Sequence, residues 1–398
     1  MARTIIVISD RVDWSDDHAD AQDAVSYDPE PADARRPPAD IAGSYLERLP
    51  LAAIAAGAYD RAEIWHHCIS REAEAVVCRD NGIVYRRFHL PDPSAPFDNR
   101  RMIERLQASA SPALVLIYGL GVSPAVIAAC GNALLVYNSI DAPALRVPPA
   151  VAGLFDLMLV GAAWQAEEIA AQHPGMATLE LPVGPEFAAT HQFYPDGSEK
   201  LYDLVYVGAA QPYKRHDILF DALAELGPDV SALCVFGYGE LAEHYRAEAA
   251  ERGLKVDFVM PPVRPYDQVN HFMNRARIGV VAGVDDGAPA ILTEYMLAGL
   301  PVLANADLAC GTAYITPETG LCAAAADFPA AIRTMLASLS HYRPRQTALA
   351  RWSWPVSVAR LLDTLALIAE LKALPRGRFR FLRAPGPLYV RDRPCGAA

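Results

Sequence analysis

The 398-residue chain lacks any apolar run approaching the roughly 18 residues of a spanning helix, which excludes an integral membrane protein of the helical kind. Residues 1–10, MARTIIVISD, carry too short an apolar run for a signal peptide and read as a first strand. Paired cysteines are also missing. The seven stand scattered at 68, 78, 130, 234, 310, 322 and 395 without a Cys-x-x-Cys spacing, so neither a disulfide framework nor a zinc ribbon is indicated, and a reducing cytoplasm fits. Basic charge is scarce too: 35 Lys and Arg against 47 Asp and Glu give a net charge of -12, which excludes broad contact with nucleic acid and leaves room only for local anion binding.

What is present is the material of a folded chain: 52% hydrophobic residues, 21% charged, and 32 Pro with 25 Gly to make turns. Single cores stop growing near roughly 250 to 300 residues, so two domains are expected. TIIVISD, ALVLIYG, ALLVYNS and DLMLVGA are short apolar runs alternating with helical patterns such as SPAVIAACG and WQAEEIAAQ. That alternation predicts a parallel sheet covered on both faces. Residues 13–40 interrupt it with an acidic, Pro-rich stretch read as a long loop, and LPVGPEFAATHQFYPDGSEK (181–200) has the composition of a linker. Beyond it the strands LYDLVYVG, SALCVFG, KVDFVM and IGVVAG alternate with helices, HDILFDALAEL presenting one apolar stripe. The expected architecture is α/β with two doubly wound Rossmann-like domains: 1–185, 198–355, and a C-terminal segment 356–398 returning to the first.

Ligands of open α/β sheets sit beyond the carboxyl ends of the strands, which makes each loop after a strand a candidate. In DDGAPAILTEYMLAGLPVL (285–303) a strand ends at Gly283 and Asp286 stands in the following loop. Pro289 suits the first turn of a helix that carries Glu294 and ends at Gly299. Backbone N–H groups at Gly287 and Ala288 would then face a phosphate.

Asp286-x7-Glu294 followed by EYMLAGLPVLAN resembles the Glu-x7-Glu element of retaining GT-B glycosyltransferases of family 4. VGAAQPYKR resembles that family's glycine loop with a Lys six residues on, here Gly208 and Lys214. VFGYGE resembles its Gly-x-Gly turn, Gly237 and Gly239, and the stretch around Val263 and Arg264 its base-binding loop. RWSWPVSVARLLDTL resembles its late Trp-containing helix, and the likeness covers about 201–370.

The resemblance implies a two-domain GT-B fold facing a central cleft and transfer of a hexosyl unit from an NDP-sugar, with retention, to a glycan, lipid-linked or small-molecule acceptor. It implies that Lys214 binds the diphosphate, Glu294 the ribose hydroxyls and Asp286 the donor sugar, with no bound metal and no cofactor beyond the nucleotide sugar. Two positions depart from the pattern: Ala209 replaces an Arg, for which Arg215 or Arg264 could substitute, and Asp286 is one methylene shorter than Glu. These departures motivate a second reading, a nucleotide-sugar-binding scaffold with weak turnover. Epimerisation of a nucleotide sugar is a third reading, poorly supported by the Asp-x7-Glu helix.

The first domain is expected to hold the acceptor. Gly43 and Ser44 in ADIAGSYLERLPLAAIAAG are candidates, although a Ser44 helix cap explains the same residues. Asn138 and Asp141 in YNSIDAP stand just past a strand, and Asp141 is a candidate for the reacting centre. His66 and His67 read as strand-end residues rather than metal ligands. The tail RGRFRFLRAPGPLYVRDRP, with six Arg, suits packing on the first domain or an anionic membrane surface, so peripheral membrane contact joins the expectations.

Overall fold

In the computed structural model, residues 2–13, 41, 43–262 and 265–373 are described. They divide into two compact units, one of 2–13, 53–181 and 359–373, the other of 41, 43–52, 182–262 and 265–358.

The first unit is built on an eight-stranded sheet of β1 (Thr4–Asp13), β2 (Arg61–Cys68), β3 (Ala75–Cys78), β4 (Val84–His89), β5 (Leu114–Tyr118), β6 (Leu134–Asn138), β7 (Leu157–Val160) and β8 (Thr178–Glu180). Its order is β3-β4-β2-β1-β5-β6-β7-β8, parallel except for the antiparallel β3–β4 pair. The apolar runs read from sequence are its central strands, and LVLIY of β5 is buried at every position because helices cover both faces. The strands β2 and β4 were not legible as apolar runs because they carry charge. Glu63 accepts from Arg86 Nε at 2.7 Å and from Trp65 Nε1 at 2.9 Å inside the sheet, a satisfied buried pair. His66 and His67 lie near the end of β2, His66 Nδ1 2.5 Å from Ser9 Oγ and His67 Nδ1 3.1 Å from Asn99 Nδ2. Residues 359–373 of the last helix, Trp354–Ala373, cluster with this unit, where Lys372 Nζ donates to Asp156 Oδ2 at 2.6 Å.

The second unit carries β9 (Tyr202–Gly208), β10 (Ala232–Phe236), β11 (Val256–Val259), β12 (Ala276–Val281), β13 (Val302–Asn305) and β14 (Gly320–Ala323). They form a wholly parallel sheet in the order β11-β10-β9-β12-β13-β14. The chain order therefore reverses beside β9 and β12, the switch point at which doubly wound sheets bind ligands. Helix His216–Leu226 buries Ile218, Leu219, Ala222 and Leu223, the stripe expected of it.

Composition misled in one place. The supposed linker is buried over much of its length: Phe187 and Phe193 are fully enclosed, and Glu186 accepts hydroxyl hydrogen bonds from Tyr314 at 3.0 Å and Ser357 at 2.6 Å. The Glu186 carboxylate is internal and paired rather than solvated. The second unit accordingly takes up the chain again at Pro182, ahead of the 198 expected, and includes residues 43–52, which the sequence reading placed in the first domain. The 13–40 loop, apart from Asp13 in β1, and the Arg-rich tail lie outside the described residues.

Candidate functional site

The loop after β9 is shaped by packing before it reaches its charged residues. Ala209 and Ala210 are buried, and Pro212–Lys214 makes a single 3-10 turn with Pro at its start. Arg215 follows in the left-handed region (φ 53°, ψ 49°), the one described non-glycine residue with positive φ, and reverses the chain into helix His216–Leu226. The ring of His216 is fully buried, 4.4 Å from Tyr206, 4.6 Å from Tyr245 and 5.1 Å from Phe236 between centroids. Burial, helped by the Lys214 charge, lowers its pKa to about 3, so the anchor under the loop is a neutral ring. Neither of its nitrogens has a hydrogen-bond partner.

Gly239 locks the adjacent turn to the same loop. Its φ is +118°, and a Cβ there would lie 2.4 Å from the Ala210 carbonyl oxygen. Ala210 N–H donates to the Tyr238 carbonyl at 2.7 Å, and the Ala210 carbonyl accepts from Leu241 N–H at 3.0 Å. Packing therefore accounts for Gly239. Gly208 differs, since a Cβ there would meet only Tyr206 at 3.5 Å and Lys214 Cδ at 3.9 Å, ordinary contact distances. Among the described residues nothing requires a glycine at 208, whereas the close approach of a ligand would.

From this platform Lys214 Nζ donates to Asp286 Oδ2 at 2.6 Å, with the side chains 16% and 19% exposed. The two loops are also tied through the main chain, Val284 N–H to Tyr213 O at 3.2 Å. A Cβ on Gly283 would stand 3.1 Å from that same oxygen, so the glycine fits a tight crossing. Asp286 Oδ1 accepts from Ala288 N–H at 3.3 Å. That bond corrects the expectation of a free amide at Ala288: the carboxylate takes it. The helix also begins later than expected, at Ile291, so Pro289 precedes it instead of occupying its first turn.

Helix Ile291–Leu297 is fixed by Tyr295, whose hydroxyl accepts from Val207 N–H at 2.7 Å and donates to Val205 O at 3.2 Å. Burial drives the Tyr295 pKa up, keeping it a neutral donor. Gly279 makes room for its ring, since a Cβ would lie 2.4 Å from it. Glu294 precedes Tyr295 and is 9% exposed. Its Oε1 accepts from Arg48 Nη2 at 2.8 Å, a partner that no pattern in the sequence indicates.

Arg48 is 3% exposed and also donates from Nε to Gly43 O at 3.1 Å, while its guanidinium carbon lies 5.8 Å from the Tyr266 ring centre. Tyr266 Oη donates to Gly43 O at 3.3 Å. Gly43 and Ser44 therefore sit with the second unit, not the first, and the correction has a local cause. Glu47 Oε2 accepts from Ser44 N–H at 2.7 Å, capping helix Tyr45–Ala55 and orienting Arg48 one residue on. A Cβ on Gly43 would strike that carboxylate.

Arg215, considered as a replacement for the cation absent at Ala209, is committed to Asp217 at 2.8 Å. Val263 and Arg264 lie outside the described residues. Gly237 N–H reaches Gly208 O at 3.4 Å, a contact within the sheet edge.

In the first unit, Asn138 ends β6, buried, its Nδ2 without a hydrogen-bond partner. Asp141 is half-buried and paired with Arg146 Nη1 at 2.8 Å. Sequence reasoning passed over Asp10 on β1, whose Oδ2 accepts from Leu120 N–H at 3.2 Å. Burial raises its pKa, and the nearby Asp141 charge acts in the same direction. Among the described residues no group of three or more His, Cys, Asp or Glu is placed to hold a metal ion, and no helix is long and apolar enough to cross a membrane.

Residues 191–349 match the family described as Glycosyl transferases group 1, and this span contains Gly208, Lys214, Asp286 and Glu294. Among solved structures, sucrose-phosphate synthase from Thermosynechococcus elongatus is similar with a TM-score of 0.64 at 17% identity, covering 93% of this chain and 100% of that one. The UDP-forming α,α-trehalose-phosphate synthase from Burkholderia vietnamiensis is similar with a TM-score of 0.62 at 13% identity, covering 94% and 99%. Anabaena HepE in complex with UDP and glucose gives 0.60 at 14%, covering 92% and 100%. Among curated proteins none matches in sequence. The fold is α/β with parallel sheets, that of GT-B glycosyltransferases.

Proposed function

We propose that the protein moves a hexosyl unit from an NDP-sugar to a glycan, lipid-linked or small-molecule acceptor with retention of configuration. The observation that carries this reading is the meeting of Lys214 and Asp286 at 2.6 Å, with Glu294 eight residues further on a buried helix. Transfer requires that negative charge developing on the departing diphosphate be stabilised while the sugar carbon gains positive character. Lys214, a mobile point charge, exchanges Asp286 for the diphosphate, and Asp286 is released to the hydroxyls of the donor sugar. Glu294 takes the ribose. Lys214 supplies the cation, so the reading uses no metal. Departing phosphate accepts the proton of the incoming hydroxyl on the same face, so no protein nucleophile is invoked.

Asp10, Asn138 and Asp141, grouped on β1, β6 and the loop after β6, are the acceptor candidates of the first unit. UDP-glucose is the first donor to try, because UDP and glucose stand in the name of one similar structure and UDP in another. We place the reaction in the cytoplasm, with the acceptor either soluble or held at a membrane face.

A nucleotide-binding scaffold is favoured by one observation: Ala209 stands where the resemblance calls for an Arg, and Arg215 is paired with Asp217. Turnover separates the two readings. With UDP-glucose, GDP-mannose and ADP-glucose as donors, Lys214→Ala and Glu294→Ala are each expected to lower transfer or slow donor hydrolysis by at least roughly a hundredfold while leaving the fold intact. Normal turnover in either variant refutes the site. Binding without turnover in the wild type favours the scaffold.

A further inference from the structure

The ion pair between Arg48 and Glu294 has no need to exist for stability. A buried pair costs desolvation that its attraction does little more than return, and apolar residues of similar volume commonly serve as well. Here the pair is close to fully enclosed, at 3% and 12% side-chain exposure. Its arginine is held from several sides: Nε by Gly43 O at 3.1 Å, Nη1 beside Gly184 O at 3.5 Å, and the ring of Tyr266 below. Those anchors are themselves fixed. Glu47 holds Ser44 at the helix start, Tyr266 Oη holds Gly43 O, and Gly184 lies so close to residues 288–290 that a Cβ there would stand 2.3 Å from Ala288 O.

A guanidinium fastened in this way sets the plane and rotation of the carboxylate it grips. Arg48 takes Oε1 alone, and among the described residues no donor reaches Oε2. A free glutamate has three side-chain torsions to lose before it can accept two vicinal hydroxyls. Glu294 has lost them already, and it presents one oxygen with both lone pairs instead of two oxygens.

Resting on the reading of Glu294 as the ribose ligand, we infer that Arg48 is a positioning residue that fixes Glu294 so that Oε2 recognises the ribose diol of the nucleotide. It touches no reacting atom. Its contribution is selectivity for a ribonucleotide, and removing it loosens that selectivity more than it weakens diphosphate binding, which belongs to Lys214.

The test is calorimetric binding of UDP, GDP and ADP, each paired with its 2′,3′-dideoxy analogue, to wild type, Arg48→Gln, Arg48→Lys and the double variant Arg48→Gln/Glu294→Gln. Circular dichroism and melting report the fold of each. Wild type is expected to prefer the ribonucleotide at least about tenfold, as befits hydrogen bonds to a charged group. Arg48→Gln is expected to retain no more than about a threefold preference, with no further loss in the double variant, because both changes act on the same contact. Arg48→Lys, which keeps the charge but not the fork, is expected to lie between and decides the matter alone should Arg48→Gln fail to fold. Full preference in a folded Arg48 variant, even with weaker binding overall, overturns the inference and makes Arg48 structural. Equal binding of both sugars to wild type removes Glu294 from the ribose and the inference with it. Silence of all three nucleotides against wild type refutes the donor site itself.

Discussion

Replacing Gly208 by Ala separates what the protein needs at the end of β9 from what a ligand needs. The backbone there lies outside the left-handed region, and the new methyl would sit 3.5 Å from the Tyr206 ring and 3.9 Å from Lys214 Cδ, with no clash. A compatible Gly→Ala change narrows the unfolded ensemble and stabilises by up to about 1 kcal/mol, a rise of up to about 4 °C in melting temperature for a unit of this size. Should the diphosphate approach the backbone here, the same methyl intrudes on it. Overpacking of that kind costs about 1 to 3 kcal/mol, or roughly 5- to 150-fold in dissociation constant. Gly239→Ala is the contrasting control. Its φ of +118° and a Cβ 2.4 Å from Ala210 O force backbone movement. A left-handed conformation costs about 1 to 2 kcal/mol and the shift a further 1 to 3, which together lower the melting temperature by roughly 5 to 15 °C. Scanning calorimetry and nucleotide titration on both variants give the result. A Gly208→Ala protein that melts far below wild type, or that binds nucleotide equally well, refutes the reasoning.

His216 should make the protein acid-sensitive. Its pKa is about 3 when folded against 6.5 unfolded, so the unfolded chain alone takes up the proton between those values and stability falls as pH drops from 6.5 towards 3. Urea unfolding at pH 7 and pH 5 should show His216→Phe escaping about 2 kcal/mol of the loss that wild type suffers, and equal losses would contradict the neutral buried ring. Asp286→Asn frees Lys214 from its partner, so nucleoside diphosphate binding should tighten about threefold, the worth of a partly buried ion pair, while transfer collapses. A parallel fall in both, read by calorimetry and product assay, would mean that Asp286 orients Lys214 for binding. Glu186→Ala deprives the Tyr314 and Ser357 hydroxyls of their acceptor and should cost about 2 to 4 kcal/mol by chemical denaturation.

Much of the fold could be read in advance because a parallel sheet covered on both faces demands short continuous apolar runs, and β5, β9 and β12 supply them. Strands carrying charge escaped notice. Neither β2 nor β4 has an apolar run, because charged Glu63 and Arg86, buried against each other, interrupt apolar core residues such as Ile64, Trp65 and Phe88. At the candidate site, Lys214, Asp286 and Glu294 were legible through the resemblance of their motifs to those of a known family, whereas Arg48 was not, since a lone Arg in an apolar helix looks like any solvated charge.

Local patterning was enough for the periodicity, hence two parallel sheets, and for the order of the loops that follow their strands. It also placed a cation and two carboxylates at fixed intervals. Which charges meet emerges on folding: Lys214 grips Asp286, Arg215 turns to Asp217, and residues 43–48 join the second unit to hold Glu294. The reason is physical. Propensity and pattern act over a few neighbouring residues, while an ion pair such as Arg48 with Glu294, 246 positions apart, depends on burial and on backbone carbonyls that exist as partners only once the chain has closed around them.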